Sequence, residues 1–138
     1  METILPVSYA LEQGFLHLIA SGHYAPEDIP RQFKAGLSDP ACAPTVALML
    51  DVRESEVLGG RTPDQIRQVA EFLKPYAERI GRRCAVIVRS DAHYGLARMG
   101  SVYADGFGVE VNVFRTTEEG IAWLKARPEA PPESARGN

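Results

Sequence analysis

Residues 90–100, SDAHYGLARMG, gather an acid, an imidazole, a phenol, a guanidinium and two glycines into eleven positions. As chemistry, His93 would serve as a general base, with Tyr94 or Arg98 steadying a developing negative charge. The pattern stops short of a catalytic constellation, because no nucleophile is paired with that base and no glycine-rich phosphate loop accompanies it. A second chemistry suits the same residues. Ser90 or Asp91 directly follows an apolar run and precedes Leu96, Met99, Gly100 and Tyr103, which is how a helix begins. Such a start offers free N–H groups and a positive dipole end, so it can hold an anion without reacting with it. On that reading Gly95 lets the sheet or a ligand approach the backbone closely, and Arg98 follows Tyr94 by one turn.

A second set of chemical residues sits at the ends of apolar runs. The segments LDVR, IVRS and VFRT place Asp51, Arg53, Arg89 and Arg115 where three strands finish. Ligands of open α/β sheets bind beyond the carboxyl ends of strands, and three guanidiniums on one rim suit an anionic group. The plainer reading is that each arginine pairs with Asp51, Glu54 or Asp91. The remaining ligating residues, His17, His23, Cys42 and Cys84, are scattered in no metal-binding spacing. No metal and no cofactor are expected, and the two cysteines read as reduced structural thiols.

Composition narrows the field. The chain has 138 residues, 45% hydrophobic and 24% charged, with a formal net charge of −3, so nucleic acid is not an expected partner. Nothing approaches the roughly 18 to 20 consecutive apolar residues that a membrane span needs. The N-terminus, METILPVSYA, lacks a basic region followed by a long apolar run, which makes the cytoplasm the expected location.

The elements that must position these residues follow from the apolar pattern. ILPVSYA (4–10) and GFLHLIASG (14–22), separated by LEQG, read as an antiparallel hairpin. PEDIPRQFKAGL (26–37) spaces Ile29, Phe33 and Leu37 four apart as a first helix. TVALMLDV (45–52) and CAVIVR (84–89) are continuous apolar runs of buried strands. TPDQ (62–65) is a capping box with Pro at the first helical position. The helix it opens carries Ile66, Val69, Ala70, Leu73, Ala77 and Ile80 on one stripe, with a kink or one interrupted hydrogen bond expected at Pro75 and a stop at Gly81. After residues 90–100, Leu96, Met99, Tyr103 and Phe107 continue at helical spacing, either as core or as the lining of a pocket. VEVNVF (109–114) is a last strand, and Thr116 with Glu119 opens a last helix through a second capping box. The fold class is therefore α/β: a mixed, mostly parallel sheet with an N-terminal antiparallel hairpin, flanked by about four helices. Residues 1–127 form one domain, and the Pro-rich stretch 128–138 reads as a disordered tail.

This order of elements, together with VIVRSDAHYGLARM and VNVFRTTEEGIAWL, resembles the STAS-like domains, in particular the SpoIIAA-like group of small bacterial proteins. The likeness covers about residues 4–126. It implies a non-enzymatic regulatory or protein-interaction module, since the related anti-sigma-factor antagonists switch partner binding by phosphorylation of a serine after the middle strand. The matching region here, LDVRESEVLGGRTPDQI, lacks the Asp-Ser-Ser/Thr-Gly signature, and Ser55 and Thr62 are its candidate phosphorylation positions. Ser55 caps nothing identifiable in the sequence, so Ser55→Ala is expected to be nearly neutral, while Thr62→Ala should cost about 1 kcal/mol through a lost cap. The group is also similar to a lipid-binding domain of phosphatidylinositol-transfer proteins, which implies an apolar pocket.

Three functions follow. The first is an interaction module with a protein partner, whose binding residues would be Arg53, Arg89, Asp91, His93, Tyr94, Gly95, Arg98 and Arg115. The alternative is a binder of a small apolar or amphiphilic anionic, lipid-like ligand, its tail between the sheet and the third helix and its head group on the arginines. The third is an enzyme built on His93. Fold analogy alone does not separate them.

Overall fold

The structure, a computed structural model, describes residues 6–12 and 14–126. Along the chain it contains β1 (Val7–Glu12), β2 (Phe15–Ala20), α1 (Asp28–Ser38), β3 (Ala47–Asp51), α2 (Pro63–Phe72), β4 (Arg83–Ile87), α3 (Asp91–Asp105), β5 (Glu110–Phe114) and α4 (Thr117–Lys125). Short 3₁₀ turns lie at Leu58–Gly60 and Lys74–Tyr76. The expected tail at 128–138 falls outside the described residues.

The five strands form one sheet in chain order. β1 and β2 are antiparallel, and β2 through β5 are parallel. Each crossover advances one strand in the same direction, so the strong preference for right-handed crossovers puts α1, α2 and α3 on one face. Leu16, Leu18, Leu48 and Cys84 point to that face and pack with Phe33, Ala70 and Ala104 of the three helices. α4 follows the last strand and makes no crossover. It closes the opposite face, where Leu124 meets Met49, Ala85 and Ile87. Alternation along β3 and β4 thus feeds two cores from one sheet.

The hairpin is tighter than the sequence suggests. Its strands run on through Leu11 and Glu12, and Glu12 pairs with Phe15, because Leu11 has Leu16 opposite it and packs against the same core. Gly14, at φ +88°, supplies the left-handed turn residue.

The second helix needs a larger correction. It ends at Phe72 and does not run on, kinked, to Gly81. Pro75 has no N–H, and its ring crowds the carbonyl four residues back, so the chain passes into a 3₁₀ turn at Lys74–Tyr76. Ala77 and Ile80 still reach the core from non-helical backbone, and Gly81 and Arg82, both at positive φ, turn the chain into β4. The step is held by Phe33 of α1, whose ring packs edge-on at 5.5 Å from Phe72 and 5.1 Å from Tyr76. Burying that phenylalanine contributes on the order of 1.5–3 kcal/mol.

Candidate functional site

The strand ends line up on one rim as expected, and the arginines there are already matched with carboxylates. Arg53 donates from Nε and Nη2 to both oxygens of Asp51, the shorter bond being 2.7 Å. That contact holds its guanidinium proton above the ordinary arginine range. Arg89 pairs with Glu54. Arg115 pairs with Asp91, donates to the Arg89 carbonyl at 3.2 Å and lies 5.3 Å from the centre of the Tyr94 ring. The rim is therefore a chain of neutralised pairs running from Asp51 to Asp91, and an incoming anion would have to break a pair to bind.

Residues 90–100 are a helix start. Ser90 caps α3 by accepting from the His93 N–H at 3.1 Å, and the Tyr94 N–H donates to the Ser90 carbonyl. His93 packs against the turn at Leu58–Gly60: its Nε2 lies 3.6 Å from where a Cβ on Gly59 would stand, and its buried Nδ1 has no hydrogen-bond partner. Tyr94 and Ala97 pack on the apolar cluster of Val52, Val88 and Val113. At Gly95 a Cβ would meet open space, so close approach of the sheet is not what its glycine serves. Arg98 is exposed and stands apart from the rim pairs. At α4, Thr116 caps by accepting from the Glu119 N–H, but Glu119 bonds back to the Arg115 N–H at 3.3 Å, so the expected capping box is shifted by one residue.

The two hydroxyls proposed as phosphorylation positions differ. Thr62 has both halves of its capping box, at 3.1 and 2.9 Å. Ser55 is 7% exposed. Its Oγ accepts from the N–H groups of Val57 and Leu58 and shares a 2.9 Å hydrogen bond with the Tyr24 hydroxyl. The expectation that Ser55 caps nothing is corrected by this arrangement: it anchors the loop after β3 to Tyr24, a contact 31 residues distant in sequence.

What those loops enclose is an apolar cavity of about 120 Å³ between the sheet, α2 and α3. Its floor is Leu50, Cys84, Val86 and Val111; its walls include Ile66, Val69, Leu96 and Ala97; Leu58, Tyr24 and Arg61 stand among the loop residues that border it. On α3 the lining comes from Leu96, Ala97, Gly100 and Ala104; of the expected stripe of Leu96, Met99, Tyr103 and Phe107, Leu96 alone is among them. Small residues there leave space that larger ones would fill. Burial pushes the Cys84 thiol up to about 12. It also raises the Tyr24 phenol, against smaller opposing effects from Ser55 and Arg61. A wider cleft of about 440 Å³ near Arg82, Arg83 and Glu110 has a mixed polar and apolar lining, and its arginines pair with Glu78 and Glu110. Among the described residues no group of three or more His, Cys, Asp or Glu side chains could hold a metal.

Sequence reasoning missed Arg61 and Tyr24. The one available signal for Arg61 was its place directly before the Thr62 cap, at the end of α2 that faces the strand termini.

No family model and no curated protein matches the chain. Among solved structures it is similar to an uncharacterized protein of the DUF3478 family with a SpoIIAA-like fold from Shewanella loihica PV-4. The TM-score is 0.56 and the identity 17%, over 90% of this chain and 98% of that one.

Proposed function

We propose, from the premise of a SpoIIAA-like fold, that this chain is a non-enzymatic binding module that takes a small apolar or amphiphilic ligand between the sheet and helices α2 and α3. The observation that carries this reading is the apolar cavity, bordered by loops at the carboxyl ends of the strands, where ligands of α/β sheets enter. The rim arginines support it indirectly, since their paired carboxylates leave little unbalanced charge to recruit an acidic protein partner. The residues lining the cavity include no nucleophile set beside a base: Cys84 stays a thiol, and His93 points to Gly59.

Calorimetric titration with benzyl alcohol tests the reading. Binding to the wild-type chain with loss in Ala97→Phe, a variant that fills the cavity from α3, is the expected result. No heat of binding, or equal binding by both proteins, would overturn it. Retained helical circular dichroism in the variant separates a filled cavity from a failed fold.

A further inference from the structure

We infer that Arg61 reads the carboxylate of a small aryl or short alkyl acid whose apolar body fills the cavity beside it. This rests on the cavity being the ligand site, and adds the identity of the head group and a limit on the body.

Arg61 differs from the arginines around it. Arg53, Arg67, Arg89 and Arg115 each hold a carboxylate at ion-pair distance, and Arg98, which has none among the described residues, is exposed and does not line the cavity. Arg61 has no carboxylate partner among the described residues; its Nη2 donates a hydrogen bond to the Tyr24 carbonyl at 2.9 Å. That bond uses one N–H of the fork and fixes its plane. The guanidinium carbon also lies 5.3 Å from the centre of the Tyr24 ring, and the Ser55 hydroxyl in turn holds the Tyr24 hydroxyl. The fork is thus positioned before any ligand arrives, with N–H groups left to donate.

Its setting selects for an anion. Arg61 is half-buried and borders a cavity whose other contributors are almost all apolar, where a charge pair is screened less than in water. A planar carboxylate matches the guanidinium fork with two parallel hydrogen bonds. A phosphate monoester carries nearly two charges, and no second unpaired cation lines the cavity to meet the other.

The volume sets the body. An engineered apolar cavity of about 150 Å³ takes up benzene, and the present one is about 120 Å³. It therefore suits a ring or a chain of about six carbons, and a long acyl chain would leave most of its length outside.

The test compares phenylacetate with 2-phenylethanol, which share the ring and differ in charge, by calorimetry on the full chain. We expect phenylacetate to bind at least about tenfold more tightly, as a charge-assisted hydrogen bond implies. Arg61→Gln should bring the two probes to similar affinity, and Arg61→Lys, which keeps the charge without the fork, should recover part of the difference. Equal affinity for the two probes in the wild-type chain would overturn the head-group assignment and leave the cavity reading standing. Failure of both probes to bind would overturn the two together. In a series of straight-chain acids, affinity should level off after hexanoate. A gain that continues undiminished to dodecanoate would overturn the size limit and point to a lipid tail.

Discussion

Ser55 shows how much a single loop residue carries in this protein. Its hydroxyl serves two loop N–H groups and the buried Tyr24 phenol, so Ser55→Ala leaves polar groups unpaired where water has little access. The cost should be about 1–3 kcal/mol, larger than the roughly 1 kcal/mol of Thr62→Ala, whose partners can turn to solvent. Urea denaturation of the two variants checks the ranking, and a milder effect for Ser55→Ala would contradict it. No sequence signal announced this role, because the partner of Ser55 lies on the far side of α1 and β3. Cys84 gives a pH prediction. Its folded thiol titrates at about 12, against 9.0 for an ordinary thiol. Between those values the unfolded chain gives up the proton while the folded chain keeps it, so stability is fully present below pH 9 and declines as pH rises toward 12. The urea midpoint should fall over that window, and fall less steeply in Cys84→Ala; parallel slopes would show that the buried thiol is not responsible.

At the scale of elements, most of the architecture could be read from local chemistry. Thr62, Ser90 and Thr116 each open a helix where the capping pattern places them, and β3 and β4 are short because they are buried runs ended by charge. The end of α2 was not legible in the same way. Leu73, Ala77 and Ile80 keep a helical period through Pro75 and all face the core, so the pattern reports burial there while the backbone has already left the helix. Helix packing also separates glycines that look alike in sequence. A Cβ on Gly120 would stand 2.8 Å from Ile87 Cδ1 and 3.3 Å from Met49 Sδ, between α4 and the sheet. Gly120→Ala should therefore lower Tm, since overpacking costs about 1–3 kcal/mol and outweighs the helix propensity gained. Gly95 faces open space in the first turns of α3, so Gly95→Ala should raise stability by up to about 1 kcal/mol. Thermal melts in which both variants move the same way would contradict this packing.

For the whole molecule, the direction of the crossovers decides where function can lie. Three helices on one face and a single helix on the other leave the carboxyl ends of the strands open at one edge, where two sites compete. The rim was legible in sequence because strand ends can be counted. Its neutralisation by Asp51, Glu54 and Asp91 was legible too, but not which arginine takes which acid, since Arg89 with Glu54 and Arg115 with Asp91 join residues 35 and 24 positions apart. An apolar pocket against the third helix was among the expectations, but its lining could not be read residue by residue: it comes from three strands, three helices and the loops after β2 and β3, with no shared spacing. The two sites predict different responses to the same ligand. The most direct measurement is a two-dimensional NMR titration of the full chain with phenylacetate, following backbone amides and methyl groups together. Leu58, Arg61, Ile66, Val69, Leu96 and Ala97 should move first and saturate together, while Arg53, Arg89 and Arg115 hold still. Shifts confined to Arg89 through Gly95 and Arg115, with the cavity methyl groups unmoved, would contradict it.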